Sequence, residues 1–324
     1  MNAALDSLPV VVLYPHNRCN CRCLMCDIWK ETGQREISAS QMERYLEDFE
    51  RLGVRWVVLS GGEPLMHSHW SRLCELLRGR GIRVTLLSTG ILFEREAGRI
   101  AECVDDVIVS LDGPPPVHDR IRRVPGGFGL LARGVDAVRK FRPELPIAAR
   151  STVQRENHRE LRQTARTAER LRLNSISFLA ADVTSDAFNR PGGWSAGRQS
   201  EIALAEGDLS GLEAEIEALI DDWRGSSFLA DSPEKLRRIA LHFRAHLGLA
   251  QPESPVCNAP WVSAVIETDG TVRPCFFHRP IGNAAESGFI EVLNGPAARS
   301  FRTSLDVASD SICRRCVCSL NLRQ

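Results

Sequence analysis

The chain has 324 residues, 43% hydrophobic and 25% charged, the make-up of a globular protein with room for a core domain and an appendage. Its 41 Lys and Arg balance 41 Asp and Glu, so no whole-chain field gathers nucleic acid or an anionic membrane. The apolar runs are too short to span a bilayer, and the N-terminus lacks the basic start and apolar core of a signal peptide, so a cytoplasmic location is expected.

Along the chain, residues 10–180 alternate short apolar runs with helical periodicity. Strands are expected at 10–14, 56–60, 84–88, 107–111, 147–153 and 176–179. The clearest helix is 38–52, where Met42, Tyr45, Leu46, Phe49 and Leu52 repeat along one face. Ser38 with Gln41 has the spacing of a capping box, Ile37 with Met42 that of a hydrophobic staple, and Gly53 is placed to end the helix. Further helices are expected at 69–80, 93–103, 130–140 and 158–171. Repeated β-then-α units imply a parallel sheet with right-handed crossovers. Six units fall short of the eight of a closed barrel. The fold class expected is therefore α/β, a partial (βα)6 TIM-like barrel. Residues 182–205 read as a loop, helices follow at 209–223 and 233–247, and the prolines of 252–255 lead into a cysteine-bearing tail. The expected division is a barrel core over 1–185, a loop and helical connection over 186–250, and a small β-hairpin and helix domain over 251–324.

Eleven cysteines are the loudest feature. In a reducing cytosol, clustered thiols more often ligate metal than form disulfides. Cys19, Cys23 and Cys26 make a C-x3-C-x2-C triplet after the first strand. Three thiolates hold three irons of a cubane [4Fe–4S] cluster and leave the fourth iron open. A zinc knuckle using Cys19, Cys21, Cys23 and Cys26 is the competing reading. Beyond the second strand lies Gly61-Gly62-Glu63-Pro64, whose glycines let backbone approach a ligand closely. The third strand ends at Ser88-Thr89 and the fourth at Ser110, Leu111 and Asp112, while the fifth carries Arg150. Each has an ordinary explanation alone, as a turn, a strand exit or a salt-bridge partner. Together they lie at the carboxyl ends of strands, where α/β folds bind ligands.

Over residues 10–180 this combination resembles the radical S-adenosylmethionine (SAM) superfamily. The resemblance implies that SAM chelates the open iron and is cleaved by one electron to a 5′-deoxyadenosyl radical that abstracts hydrogen from a substrate. It assigns SAM binding to Gly61, Gly62, Glu63, Pro64, Ser88, Thr89, Ser110, Asp112 and Arg150, the amino group being received by main-chain carbonyls of Gly61–Pro64. Cys21 is left a bystander. A flavodoxin- or ferredoxin-type electron donor is implied as partner.

In the tail, Asp269-Gly270 between apolar runs signals a hairpin that returns Cys275 toward Cys257, and Cys313 and Cys316 complete a four-thiolate set. This is similar to the twitch form of the SPASM extension, which binds one auxiliary [4Fe–4S] cluster. The tail is thus expected to be a cluster-binding domain, with Cys318 a bystander or a substitute for Cys316. A structural zinc ribbon is the alternative.

Cys74 and Cys103 read as core thiols, and His16 and His278 as surface histidines, with tuning a cluster or shuttling a proton as the alternative. Arg120, Arg122, Arg123, Arg314 and Arg315 read as solvated faces that also suit an acidic electron donor. The first strand is expected to begin by residue 10, so a leader-peptide recognition domain ahead of it is not expected. The expected function is oxidation of a small metabolite, sugar- or cyclitol-like, with the auxiliary cluster as electron acceptor. Peptide or protein side-chain modification is the runner-up, and a non-catalytic metal-binding adaptor is more remote. Nucleic-acid modification lacks support.

Overall fold

Strand β1 (Val10–Leu13) is followed by α1 (Ala39–Arg51), which buries Met42, Tyr45, Leu46 and Phe49. The Ser38–Gln41 capping box forms as expected, and Gly53 supplies the left-handed residue beyond the helix. The computed structural model describes residues 4–322; the outer ends of the two expected terminal domains, 1–3 and 323–324, lie outside it.

The units continue as β2 (Trp56–Leu59), α2 (Trp70–Arg78), β3 (Arg83–Ser88), α3 (Phe93–Cys103) and β4 (Asp106–Ser110). Next come α4 (Pro115–Arg122), α5 (Gly127–Phe141), β5 (Ile147–Val153), α6 (Leu161–Arg170) and β6 (Ser175–Ala180). All six strands pair in parallel with their sequence neighbours, giving the expected (βα)6 partial barrel. Along β5 the odd residues are buried, while Ala148, Arg150 and Thr152 are half-buried on the other face. Ser110, Arg150 and Ser177 sit side by side in register on that face.

Helix α4 was not foreseen. Its Pro115 and Pro116 occupy the first helical positions, where a missing N–H costs nothing. The segment read as loop over 182–205 contains α7 (Ala196–Ile202), started by the Ser195 side chain. The expected connection helices are α8 (Leu209–Asp222) and α9 (Pro233–His246). Residues 228–230 cover the free edge of β6, with Ile176 N donating to Phe228 O at 2.8 Å and Ala230 N to Ile176 O at 2.9 Å.

In the tail, Val262 closes a short helix α10 (Ala259–Val262), and the strand β7 (Ser263–Ile266) follows at once. It forms the expected hairpin with β8 (Thr271–Arg273), followed by β9 (Gly282–Asn283) and three short helices. β7 also pairs in parallel with β1, so the hairpin extends the barrel sheet into one nine-stranded order, β6-β5-β4-β3-β2-β1-β7-β8-β9.

Candidate active site and cluster sites

The cysteine loop leaves β1 and is braced on three sides. Against the turn after β2, Glu63 N donates to Arg18 O at 2.9 Å. A Cβ on Gly62 would lie 1.9 Å from that same carbonyl oxygen, so only glycine lets the two loops meet. Against α4, Arg22 N donates to Arg122 O and Leu24 N to Ile121 O, at 3.2 and 2.9 Å. From the segment before α7, Phe188 O accepts from Asp27 N at 3.2 Å and Trp194 Nε1 donates to Asp27 Oδ2 at 2.7 Å.

Cys19, Cys23 and Cys26 are brought together in this loop. Burial pushes the Cys19 and Cys26 thiols up to about 12, with Cys23 nearby adding to the rise. A hydrogen bond from Cys21 pulls Cys23 down to about 7 against its burial, and Arg122 adds to the pull. Cys21 is thus a buried partner of Cys23.

Arg122 corrects the expectation of a solvated arginine run. Arg120 and Arg123 are exposed, but Arg122 is buried. Its Nε and an Nη lie 2.6 Å from Asp112 Oδ2, and its other Nη lies 3.5 Å from Cys23 Sγ. Asp112 Oδ1 accepts from Thr152 N at 2.8 Å, so its carboxylate is engaged by protein groups on both oxygens.

His16 is buried as well, contrary to the surface position expected. Its Nδ1 accepts from Arg18 N at 2.9 Å, so its Nε2 carries the proton and donates to Glu63 O at 2.5 Å. Burial holds its pKa below the ordinary value. The Glu63 carboxylate is fully buried and joins the ends of β2 and β3. It accepts from Ser88 Oγ at 2.8 Å and from Thr89 N and Oγ1, each at 2.7 Å. Burial raises its pKa, and those hydrogen bonds oppose the rise. Glu63, Ser88 and Thr89 therefore hold one another in place, whereas the Gly61 and Gly62 carbonyls take no hydrogen bond among the described residues. Arg150 makes a 3.3 Å contact to Ser177 Oγ and stays half-buried beside Ser110.

Three side chains near this site, missed in the sequence, have buried polar atoms without partners: Arg18 Nε, Asn20 Nδ2, and both amide atoms of Gln154 just past β5. Asn20 lies between Cys19 and Cys21, and its Oδ1 is 3.1 Å from Thr89 Oγ1, whose proton goes to Glu63. Unpaired buried amides at the carboxyl ends of strands fit a site built to receive a polar ligand.

The tail gathers the second set. Asn258, beside Cys257, accepts from Leu322 N at 3.0 Å and donates from Nδ2 to Leu322 O at 2.7 Å, fastening the final segment. Gly270 has φ +89°, and a Cβ there would lie 2.6 Å from Asn283 Oδ1. Burial, then Asp310 and the Cys275 and Cys257 thiols, push Cys313 up to about 12. Burial and then Cys257 and Cys318 raise Cys275 to about 11. Cys316 is raised by burial and then by Cys318, whose carbonyl accepts from Cys316 Sγ at 2.5 Å. The five tail cysteines thus lie near enough for their charges to act on one another. His278 is buried among them, not on the surface, with Nε2 3.4 Å from Cys313 Sγ and 3.7 Å from Asp310 Oδ1. Phe276, next to Cys275, packs on Phe188 at 4.6 Å, so an aromatic contact links the tail to the segment braced on Asp27. Cys74 and Cys103 are buried on α2 and α3, as expected.

Residues 13–168 match the radical SAM superfamily, and residues 257–317 match SPASM, an iron–sulfur cluster-binding domain. The chain belongs to the radical SAM superfamily. It carries a radical SAM domain followed by a SPASM domain, and these imply [4Fe–4S] clusters and SAM as its cofactors. The Fe-coproporphyrin III synthase of Methanosarcina barkeri is 30% identical over 163 residues, 48% of this chain and 40% of that protein. The chain thus spans less than half the length of that relative. The pre-heme d1 synthase of Dinoroseobacter shibae is 27% identical over 307 residues, 89% of this chain and 74% of that protein. SuiB of Streptococcus suis, solved with S-adenosylmethionine, shares the fold with a TM-score of 0.69 at 15% identity, over 98% of this chain and 74% of SuiB. No described helix is long and apolar enough to cross a membrane.

Proposed function

We propose that this enzyme removes a hydrogen atom from a small molecule and that the net reaction is an oxidation. The observation that carries the site is the contact of Gly62 with the Arg18 carbonyl, which welds the cysteine loop to the Gly61–Pro64 turn. Cys19, Cys23 and Cys26 hold the first cluster, and Cys257, Cys275, Cys313 and Cys316 the auxiliary one, with Cys318 in reach. Bound there, the first cluster and SAM supply a 5′-deoxyadenosyl radical, and the auxiliary cluster an electron acceptor.

The chain's own residues divide the remaining work. Main-chain carbonyls of Gly61 and Gly62 receive the SAM amino group. Glu63, with Ser88 and Thr89, fixes the strand ends beneath it. Arg150, half-buried beside Ser110, would pair with the SAM carboxylate through its guanidinium fork. Asp112 acts through Arg122, which donates toward Cys23. The exposed Arg120 and Arg123 offer a basic face to an acidic electron donor.

The sugar- or cyclitol-like substrate expected from the sequence gains no support from the relatives named above, whose names point to haem-related compounds. A porphyrin-type compound is therefore the first substrate class to assay. Anaerobic protein given SAM and a reductant should form 5′-deoxyadenosine faster with a porphyrin-type substrate than with a cyclitol or a peptide. Stimulation by the peptide alone would favour side-chain modification instead.

A further inference from the structure

A cavity of about 220 Å³ lies between α9 and the tail, where residues 314–316 return against the edge of the barrel. We propose that this cavity is a subsite for an oxyanion arm of the substrate, a carboxylate or a phosphate. The assignment deepens the enzyme reading above and rests on it.

Three guanidinium groups line the cavity: Arg238 from α9, and Arg314 and Arg315 from the tail. Among the described residues no carboxylate lies within 4.0 Å of any of them. Backbone carbonyls hold two of them in place. Arg238 donates to Glu253 O at 3.3 Å and to Cys316 O at 3.4 Å, and Arg314 Nε donates to Pro252 O at 3.0 Å. Neutral carbonyls fix a guanidinium without cancelling its charge, so the cluster stays electropositive and pre-organised. Glu253 also lines the wall, and its carboxylate acts on Arg238 from beyond ion-pair distance, so the lining sets three arginines against one carboxylate.

Two histidines complete the lining. His242 Nε2 is buried and has no hydrogen-bond partner. A buried polar atom without a partner at the wall of a basic cavity points to a polar ligand. Burial lowers the pKa of His242 to about 4, and burial followed by Arg315 lowers that of His246. Both are therefore neutral near pH 7 and serve as hydrogen-bonding groups while the arginines carry the charge.

Size and position narrow the role. A drug-sized ligand needs roughly 300–1,000 Å³, so the cavity takes an arm of a larger molecule. Cys316 forms part of the wall, which sets the bound arm beside the auxiliary cluster site. Thr184, just beyond β6, places it on the rim of the barrel that carries the first cysteine loop and the Gly61–Pro64 turn.

The test uses the full-length protein, reconstituted anaerobically and titrated by calorimetry with propane-1,2,3-tricarboxylate, with inorganic phosphate and with the neutral triamide. The expected result is saturable binding of an oxyanion and none of the triamide; the tighter of the two anions identifies the arm. Arg238→Gln with Arg314→Gln should weaken that binding roughly tenfold or more. Wild-type labelling with phenylglyoxal, mapped by mass spectrometry, reports without any variant. The bound anion should protect Arg238, Arg314 and Arg315 and leave Arg120 open. The proposal is overturned if neither anion binds, if the triamide binds equally, or if these arginines stay unprotected. 5′-Deoxyadenosine formation is followed in the same wild-type samples. Its absence sinks the enzyme reading, while the titration still decides the subsite.

Discussion

Asp112 and Arg122 meet at 2.6 Å in a pocket closed to solvent, and the far side of the guanidinium touches Cys23 Sγ at 3.5 Å. Burial works against the charge on Arg122, but Asp112 and then Cys23 hold its pKa above the ordinary value. The pair links the end of β4 to the cysteine loop through α4, so a side chain ten residues past Asp112 reaches a sulfur 99 residues earlier.

Breaking one half of such a pair leaves an uncompensated buried charge. Asp112→Asn should therefore cost about 3–5 kcal/mol of stability, measured by chemical denaturation. Arg122→Lys should not restore wild-type behaviour, because an ammonium cannot serve Asp112 and Cys23 in the same fork geometry. An Asp112→Asn variant as stable as wild type, with a full first cluster, would show the pair to be incidental.

Gly62→Ala tests the contact between the two loops. The new methyl would sit 1.9 Å from the Arg18 carbonyl oxygen, so backbone must shift. A displacement of about 1 Å near the chemistry costs on the order of 10²-fold in rate. SAM cleavage should fall by about that factor, while the tail retains its iron by metal analysis.

With Cys313 a cluster thiolate, and so an acceptor, His278 carries its proton on Nε2, 3.4 Å from the sulfur. A hydrogen bond to a cluster thiolate favours the reduced state. His278→Phe removes it and should lower the auxiliary potential by on the order of 60 mV, equivalent to a charge-assisted bond of about 1.5 kcal/mol. Electrochemical titration of the Cys19/Cys23/Cys26→Ala background reads this without the first cluster. An unchanged potential would remove His278 from the auxiliary site.

His118 predicts a pH dependence. Burial, then Arg122, lower its pKa from 6.5 to about 4, while Asp112 and Asp119 oppose the shift. The unfolded chain takes up this proton near pH 6.5 and the folded chain only near pH 4. Stability is therefore intact above pH 6.5 and declines as pH falls through that window, by up to about 3 kcal/mol. Thermal unfolding of His118→Gln should show a shallower decline than wild type; equal slopes would contradict the assignment.

What the sequence disclosed follows from how local each signal is. The Cys19–Cys26 spacing, the Gly61–Pro64 turn and the α1 face are written within a few residues, and they were legible. Arg122 reads as solvated because it stands between two arginines that are exposed. Its burial depends on α4 folding back onto residues 22–24, which no local pattern records. Helix α4 has no expected counterpart, although Pro115 and Pro116 at its first positions are a helix start signal. His16 and His278 were placed on the surface because their partners, Glu63 and Cys313, are distant in the chain. Likewise, nothing near Ser263 announces that β7 will pair with β1. Asn20 and Gln154 stood out only once their buried amides proved unpartnered.

The central claim is that Cys19, Cys23 and Cys26 hold a cluster open to SAM, separate from the tail. Electron paramagnetic resonance on the reduced, anaerobically reconstituted protein tests it directly, with and without SAM. Wild type should hold about eight irons and the Cys19/Cys23/Cys26→Ala variant about four. Added SAM should change the wild-type signal and yield 5′-deoxyadenosine, and should leave the variant's signal unmoved. A fully loaded wild-type protein whose spectrum ignores SAM, or a variant that keeps all its iron, would contradict the account.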